Sequence, residues 1–282
     1  MSAAGLITER APAKLNLALH VRRRREDGMH DLETLFAFCA DGDEIVAAEA
    51  PVMSLEIEGP FAEGLAADDS NLVLRAARLL ADHHAPGRAA RLRLVKRLPV
   101  ASGIGGGSGD AAATLRALSR LWSLDLGPEE LAGLAAPLGA DIPACVHSRP
   151  LWGEGAGEVL RPADLGGLAG APLLLVNPGV AVATGPVFQK WDGEDRGSLP
   201  VQAEACLIEG RNDLEPAART LEPVIGEVIQ QLDRTAPSFP ARMSGSGATC
   251  FALYATEVER DAAARALAAN FPSWWVFCSK LT

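Results

Sequence analysis

The glycine-rich run between residues 99 and 110 constrains the fold of this chain more than any other feature. It has the sequence PVASGIGGGSGD, with five glycines and two serines. Glycine reaches positive φ at little cost and carries no Cβ, so successive backbone N–H groups can converge on an anion. The alanine-rich segment that follows predicts a helix over 110–123, whose N-terminal end attracts the same anion. The run is therefore interpreted as a phosphate-binding loop.

Two better-known glycine motifs do not fit this run. A Walker A loop needs a lysine after its last glycine, and the chain has none between Lys96 and Lys190. The dinucleotide-binding fingerprint needs a glycine at the position of Ser108. A flexible linker is the less favoured alternative, because linkers do not usually lead directly from a strand into a helix.

Length and composition are typical of a globular enzyme with two domains. The chain has 282 residues, of which 48% are hydrophobic. We place the boundary in the Gly-, Ala- and Pro-rich segment 162–172, which gives domains at 1–165 and 166–282. No apolar run is long enough to span a membrane, and the net charge of −10 argues against a nucleic-acid partner.

The cysteines and the first residues predict a cytoplasmic location. The five cysteines are widely spaced and form no Cys-x-x-Cys pair, which indicates reduced thiols and argues against a zinc site. Most of them are expected to be small buried residues. Residues 1–10 lack the basic and apolar segments of a secretory signal, so we expect none there.

Apolar periodicity predicts an α+β fold in both halves of the chain. Strands are expected at 11–21, 30–38, 44–47, 53–58, 89–96, 173–176, 241–243, 249–254 and 274–278. Helices are expected at 71–83, 110–123, 131–138, 202–208, 221–233 and 258–270. The residues Asp41–Asp43 are expected to open a new strand after the one that ends at Phe38.

A phosphate cradle without a loop lysine needs a cation and a base from elsewhere in the chain. Lys14 lies on an otherwise apolar strand pattern, and Asp141 follows a helix end directly before Ile142 and Pro143. We expect Asp141 to take the proton from a substrate hydroxyl and Lys14 to offset the growing negative charge. Two simpler interpretations stay open: an edge-strand lysine that points to solvent, and a turn or cap carboxylate.

Two further segments are candidates for a role in binding. The glycine run at 242–251 lies between two short strand patterns and is a candidate for closing over a ligand, with a tight hairpin turn as the alternative. The basic run Arg22–Arg25 is followed by Glu26 and Asp27, so we expect a solvated hairpin tip. Attraction of an anionic substrate is the alternative for this run.

Four segments together resemble one family. They are APAKLNL at 11–17, DGMHDLETLF at 27–36, PVASGIGGGS at 99–108 and RMSGSGA at 242–248. With them the chain resembles the GHMP kinases, which include galactokinase, homoserine kinase and mevalonate kinase. The resemblance covers nearly the full length. It implies an N-terminal mixed α/β domain with a left-handed crossover, a C-terminal ferredoxin-like domain, and an active site in the cleft between them.

The first two segments are similar to those of family members that act on a cytidine-diphosphate-linked methylerythritol. The resemblance therefore implies ATP-dependent phosphorylation of the 2-hydroxyl of that compound, with Mg²⁺, in the non-mevalonate route to isoprenoid precursors. We expect this small molecule to be the binding partner. The protein is expected to be a monomer or a homodimer. Another GHMP small-molecule kinase, or a non-catalytic nucleotide-binding sensor of the same fold, are the alternatives.

The resemblance also assigns roles to single residues. Lys14 and Asp141 match the catalytic pair, and Ser108 is the candidate metal ligand. The ATP-phosphate loop comprises Pro99, Val100, Ala101, Ser102, Gly103, Ile104, Gly105, Gly106, Gly107, Ser108 and Gly109. The substrate-binding set comprises Asn16, Met29, His30, Phe188, Gly245, Ser246 and Gly247. Within that set, His30 is expected to contact the cytosine edge and Phe188 to form a wall of the cytosine pocket.

Three positions depart from the family pattern. Gly109 replaces a serine, so any contact of that hydroxyl with Mg²⁺ or phosphate is lost. Met29 replaces a tyrosine that stacks on cytosine, and it offers a polarizable apolar contact instead. Arg23 takes a position where glycine is common, for which we expect little functional effect.

Overall fold

The computed structural model of the chain describes residues 5–282. Its strands are β1 (Ile7–Arg24), β2 (His30–Glu49), β3 (Ser54–Glu58), β4 (Ala90–Val95), β5 (Leu151–Glu154), β6 (Val159–Pro162), β7 (Pro172–Asn177), β8 (Arg242–Met243), β9 (Cys250–Leu253) and β10 (Trp275–Lys280). Its helices are α1 (Leu72–His84), α2 (Gly106–Leu121), α3 (Pro128–Ala135), α4 (Ile142–His147), α5 (Thr184–Lys190), α6 (Ala203–Ile208), α7 (Glu215–Leu221), α8 (Val224–Asp233) and α9 (Glu257–Asn270). Both halves mix helices and strands, which confirms the α+β prediction. The expectation that the chain starts without a secretory signal falls partly on residues 1–4, outside the described residues.

The chain divides into two compact units, and β1 and β2 contribute residues to both. The described residues of the first unit are 5–13, 41–100 and 105–148. In this unit β2 pairs antiparallel with β4, with Glu44 opposite Val95, and β3 pairs parallel with β4, with Ser54 opposite Arg91. Parallel neighbours need a crossover connection, and α1 supplies it. A domain boundary near residue 165 stays a prediction.

The helices of the first unit bury apolar faces against one another. The Asn71 side chain caps α1 by accepting a hydrogen bond from the N–H of Val73 at 2.9 Å. Leu80 of α1 is fully buried, and α1 packs on α2. The buried face of α2 carries small side chains at Ala111–Ala113, which lets neighbouring elements approach its backbone closely.

The second unit comprises residues 14–40, 101–104 and 149–282. Its antiparallel sheet has the strand order β10-β7-β9-β8. Helices α5–α8 lie between β7 and β8 in the chain, and α9 lies between β9 and β10. In chain order the strands are thus arranged 4-1-3-2, the ferredoxin-like pattern that the family resemblance predicts. In the same unit β5 pairs with β2 and with β6.

An apolar core stabilises the second unit. Leu174 and Val176 of β7 contribute to it together with Ile225, Val228 and Leu232 of α8, and all five are fully buried. The three α8 residues follow helical spacing, so they form one stripe along the helix. Burial of each such side chain stabilises the fold by about 1.5–3 kcal/mol.

Three predicted helices differ from the structure at their ends. The N-terminal turn of α2 includes the glycines themselves, so the helix begins at Gly106 and not at residue 110. The helix predicted at 221–233 begins at Val224, because Pro223 lacks the N–H that a continuous helix needs; Leu221 is the last residue of α7. The helix predicted at 131–138 ends at Ala135, and Pro137 lies in a 3₁₀ turn.

The expectation of a new strand at Asp41–Asp43 is wrong, because β2 continues through these residues. The reason is Gly42. A Cβ there would lie 2.1 Å from the carbonyl oxygen of Ala11, so glycine allows the β1 backbone to approach at this point. A glycine flanked by aspartates is typical of a turn, and here it marks a close contact of two strands.

The cysteines lie as predicted. Cys39, Cys145, Cys206 and Cys250 are buried, Cys278 is exposed, and none of the five is in a disulfide. Within residues 5–282, no helix has the length and apolar character needed to cross a bilayer.

Candidate active site

The glycine-rich run forms a turn that leads into α2. Gly103 and Gly105 have φ of +76° and +64°, a region that glycine adopts readily. Gly105 is the N-cap of α2, and no side chain caps the helix. The first N–H groups of α2 therefore have no intrahelical or side-chain partner, and together with the helix dipole they form an anion-binding end.

The other residues of this loop differ in exposure. Ser108 is half-buried in the first turn of α2, and no described residue hydrogen-bonds to its hydroxyl. Val100 is 47% exposed, whereas Ser102 and Ile104 are buried. The side chain of Ile104 belongs to the core, so this residue can act on a ligand only through its backbone. Its carbonyl oxygen accepts a 2.9 Å hydrogen bond from the N–H of Lys14.

The two glycine runs pack against each other. A Cβ on Gly103 would lie 2.5 Å from the carbonyl oxygen of Ser244 and 2.7 Å from that of Gly247. The Ser244 hydroxyl donates to the Gly103 carbonyl at 3.1 Å, and the Thr249 N–H donates to the Ser102 carbonyl at 3.1 Å. The second run is thus a hairpin turn between β8 and β9 that also supports the first run.

The hairpin between β8 and β9 contains three residues that were predicted to bind substrate: Gly245, Ser246 and Gly247. Gly245 has φ of +55°, and a Cβ there would lie 2.8 Å from the Gly103 carbonyl oxygen. The hydroxyls of Ser246 and Thr184 are 3.0 Å apart. Arg242, just before the turn, is buried and donates hydrogen bonds to four carbonyls. These are the carbonyls of Leu17, Cys206, Leu207 and Gly210. The arginine of this motif therefore has a structural role.

A buried ion cluster lies beside the first turn of α2. The ammonium nitrogen of Lys96 is 2.5 Å from Oδ2 of Asp43 and 2.6 Å from Oδ2 of Asp110. Asp43 Oδ1 also accepts the backbone N–H groups of Arg97 and Leu98. No local sequence pattern indicates this cluster, because Asp43 lies 53 residues before Lys96 and only the fold brings them together.

One lysine cannot neutralise both carboxylates of this cluster. Burial raises the pKa of Asp110 to about 7, although the attraction of Lys96 opposes this shift. Burial alone would lower the pKa of Lys96, but Asp110 and Asp43 together raise it. The Oδ1 atom of Asp110 is buried and has no hydrogen-bond partner among the described residues.

Lys14 is buried, so the alternative of a solvent-pointing edge lysine is wrong. Its ammonium donates to Asn16 Oδ1 at 3.1 Å and lies 4.6 Å from the ring centroid of Phe36. Asn16 Nδ2 in turn donates to the Thr34 hydroxyl at 2.8 Å, and its N–H donates to the Ser244 hydroxyl at 3.1 Å. The lysine is therefore held by a buried polar network of the second unit.

Asp141 lies in the first unit, directly before α4. Its backbone is helical, with φ of −82° and ψ of −16°, and its side chain makes no capping hydrogen bond. The carboxylate is half-buried. The carboxylate therefore does not cap α4, although Asp141 is the N-cap residue. The alternative of a turn carboxylate stays open, and the role of Asp141 as a base stays a prediction.

Three rings lie close together at the start of β2. His30 is buried, and its ring centroid is 4.8 Å from that of Phe188 and 5.8 Å from that of Trp191. Burial, and then the charge of Arg24, lower the pKa of His30. His30 and Phe188 were predicted from the sequence, whereas Trp191, which directly follows α5, was not. Met29 is 47% exposed at the turn before His30.

Comparisons with known proteins agree on one family. Residues 71–149 match the GHMP kinases N terminal domain, and residues 196–273 match the GHMP kinases C terminal family. The chain is 55% identical to the 4-diphosphocytidyl-2-C-methyl-D-erythritol kinase of Rhizorhabdus wittichii, over 97% of this chain and 94% of the relative. It is 51% identical to the protein of the same name from Sphingopyxis alaskensis, over 95% and 96% of the two chains.

Solved structures support the same assignment. A crystal structure of 4-(cytidine 5'-diphospho)-2C-methyl-D-erythritol kinase matches with a TM-score of 0.81 and 34% identity, over 97% of this chain and 98% of that chain. A homoserine kinase from Cytophaga hutchinsonii shares the fold, with a TM-score of 0.77 at 16% identity over 100% and 96% of the two chains. The expected two-part fold and the expected kinase class are confirmed. The chain is an ATP-dependent small-molecule kinase that belongs to the GHMP kinases and, within them, to the family of the 4-diphosphocytidyl-2-C-methyl-D-erythritol kinases.

Proposed function

We propose that this kinase phosphorylates the 2-hydroxyl of 4-diphosphocytidyl-2-C-methyl-D-erythritol, with ATP as donor, in the non-mevalonate route to isoprenoid precursors. The observation that carries the proposal is the cluster of His30, Phe188 and Trp191 in the same unit as buried Lys14. A pyrimidine needs an apolar wall for its face and a hydrogen-bonding group for its edge. Phe188 supplies the first and His30 the second.

Asp141 and Lys14 are the groups that we assign to the chemistry. Asp141 accepts the proton of the substrate hydroxyl, and the oxygen attacks the γ-phosphorus in line with the departing ADP oxygen. Lys14 offsets the negative charge on the transferred group. The hydrogen bond to Asn16 supports this role, because it orients the buried ammonium. A Walker A loop contains its own lysine. Here the corresponding positive charge is Lys14 of β1.

The glycine loop is assigned to the phosphates of ATP. The uncapped N-terminal end of α2 supports this assignment, because it offers backbone donors and a positive dipole end. Mg²⁺ usually keeps several waters and binds through one or two protein oxygens plus substrate phosphates. The Ser108 hydroxyl fits that donor set, since no described residue hydrogen-bonds to it. A bound Mg²⁺ would neutralise charge on the phosphates.

The family serine missing at position 109 does not argue for a non-catalytic sensor. Gly109 is buried, and a Cβ there would lie 3.2 Å from the carbonyl oxygen of Pro12 and 3.8 Å from atoms of Ala11. A serine at 109 would thus direct its hydroxyl toward the backbone of β1. We infer that this position contributes to packing, and that Ser108 is the hydroxyl available to the metal.

A cytoplasmic location completes the proposal. The five cysteines are outside disulfides, as expected for a reducing compartment.

The test is release of ADP by purified protein with ATP, Mg²⁺ and the proposed substrate. We expect turnover with this alcohol and little with mevalonate, homoserine or galactose. Asp141→Asn should lower kcat at least about 100-fold. The matched control is Asp125→Asn, an exposed aspartate between α2 and α3, which should keep the wild-type rate.

Three outcomes would contradict parts of the proposal. No turnover with a correctly folded protein would remove the reaction. Preference for another alcohol would favour a different GHMP kinase activity. An unchanged kcat in Asp141→Asn would remove Asp141 from the role of base.

A further inference from the structure

Arg24 differs from the other arginines of the basic hairpin run. Three of the four have carboxylate partners: Arg22 pairs with Glu33 and Asp195, Arg23 with Asp31, and Arg25 with Asp27. Arg24 has no ion pair with any described residue. Its Nε donates to His30 Nε2 at 3.3 Å, and its Nη2 donates to the Gln189 carbonyl at 3.4 Å. The one arginine without a carboxylate partner thus contacts the ring cluster.

The contact fixes the protonation of the imidazole ring. A guanidinium is always protonated and has no acceptor, so the His30 nitrogen that faces it must be the acceptor. The ring is then neutral with its single proton on Nδ1. Nδ1 has no hydrogen-bond partner among the described residues, so its N–H is available to a ligand.

Burial and the charge of Arg24 both lower the pKa of His30. Arg24 of β1 is the charged group that acts on the ring, and its positive charge disfavours a second ring proton. Phe188 and Trp191, which contact the ring from α5 and the residue after it, do not titrate. Burial has the same effect as Arg24, since both lower the pKa of His30.

We propose that Arg24 is a positioning residue that sets pyrimidine specificity by holding His30 as the neutral Nδ1–H tautomer. The inference rests on the proposed function, because it takes the ring cluster as the pyrimidine site. N3 of cytosine is an acceptor and can receive the Nδ1–H hydrogen bond. N3 of uracil carries a proton, so a donor would face a donor there. The ligand class is therefore a cytosine nucleoside diphosphate.

The second contact of Arg24 contributes to the same pocket. Its bond to the Gln189 carbonyl joins the hairpin to α5, the helix that carries Phe188. One side chain thus sets the proton position on His30 and contacts the element that carries the apolar wall. Loss of Arg24 should change the tautomer as well as weaken binding, whereas a purely structural residue would only weaken binding.

The first experiment measures the tautomer and pKa of His30 in the full-length protein by long-range ¹H–¹⁵N correlation, with His30→Gln to assign the signal. We expect the Nδ1–H form and a pKa below 6.5 in the wild type. Arg24→Met should shift the ring toward the Nε2–H form and raise the pKa. Arg24→Lys should retain the Nδ1–H form, because an ammonium is also a donor without an acceptor. The matched control Arg23→Met should leave the spectrum unchanged.

The second experiment measures the binding of CDP and UDP by calorimetry at pH 7.5. The wild type should prefer CDP, and Arg24→Met should lower the CDP-to-UDP affinity ratio at least about fivefold, the value of about one hydrogen bond. Arg23→Met should keep the ratio. An Nε2–H tautomer in the wild type, or an unchanged ratio in Arg24→Met, would overturn the inference.

The two proposals fail in different ways. If the expected tautomer and CDP preference are found but no ADP is released, the proposed reaction fails and the role of Arg24 stands. If ADP is released with the proposed substrate but Arg24→Met leaves His30 and the ratio unchanged, the role of Arg24 fails and the reaction stands.

Discussion

The ammonium of Lys96 lies 2.6 Å from a carboxylate oxygen of Asp110 in a buried site beside the first turn of α2. A Cβ on Gly106 would lie 3.1 Å from the same nitrogen, so the lysine is packed directly against the start of this helix. Asp43 completes the cluster at 2.5 Å. The end of the helix assigned to ATP phosphates is thus held by buried charges, two of which, Lys96 and Asp43, lie outside the glycine-rich run.

Lys96→Met should destabilise the protein by about 3–5 kcal/mol, because it leaves two buried carboxylates without their cation. The measurement is the free energy of unfolding in urea. The control is Arg93→Met, which removes an exposed ion pair with Glu58 and should cost about 1 kcal/mol or less. If both substitutions lowered the free energy of unfolding equally, the buried ion cluster would contribute no more to stability than the exposed ion pair.

The raised pKa of Asp110 predicts a pH dependence of stability with a defined sign. The ordinary pKa of the group is 3.8, and in the folded protein it is about 7, so the native state binds the proton more tightly. The stability from this group is complete below pH 3.8 and is lost as the pH rises through about 7. Asp110→Asn, which cannot ionise, should therefore gain stability relative to wild type between pH 4 and pH 7.

This difference is measured as the free energy of unfolding of both proteins across that pH range. Asp125→Asn, which replaces an exposed aspartate, should follow the wild type at every pH. A gap between Asp110→Asn and wild type that stays constant with pH would mean that Asp110 is ionised throughout.

Gly103→Ala should strongly destabilise the loop, because a Cβ would lie 2.5 Å from the Ser244 carbonyl oxygen and φ is +76°. We expect a lower Tm and weaker ATP binding. Gly107→Ala is the matched comparison, since its Cβ would lie 3.6 Å from Leu72 Cδ1 in ordinary contact inside a helix. It should stabilise the protein by about 0.5–1 kcal/mol, as alanine is the better helix former. A comparable loss of Tm in both variants would be incompatible with this account.

Local sequence patterns predicted most of the fold, because apolar spacing and capping residues act over a few positions. Asn71 marks the start of α1, and the glycine run marks the start of α2. One strand boundary was misplaced because a tertiary contact decides it. Gly42 looks like a turn residue, and its place in a continuous strand depends on a close approach of Ala11 from another strand.

The candidate site divides in the same way. Lys14 and His30 were predicted from motifs, because each lies in a short segment that resembles the family. Asn16 was predicted as a substrate contact and not as the hydrogen-bond partner of Lys14, which lies two residues away on the same strand. Arg24 was not predicted as a partner of His30, because that contact depends on how the hairpin folds. Lys96 and Asp43 are 53 residues apart, and no local pattern connects them.

Gly109→Ser tests whether the missing family hydroxyl matters for the metal. A Cβ at this position would lie 3.2 Å from the Pro12 carbonyl oxygen, so we expect a modest loss of stability, about 1 kcal/mol, from crowding against β1. The hydroxyl would face that carbonyl, so the Mg²⁺ concentration for half-maximal ADP release should stay as in the wild type. Ser108→Ala is the comparison and should raise this concentration, because it removes the hydroxyl that we assign to the metal. If Gly109→Ser lowered the Mg²⁺ requirement, residue 109 rather than residue 108 would be the metal-facing position of the loop.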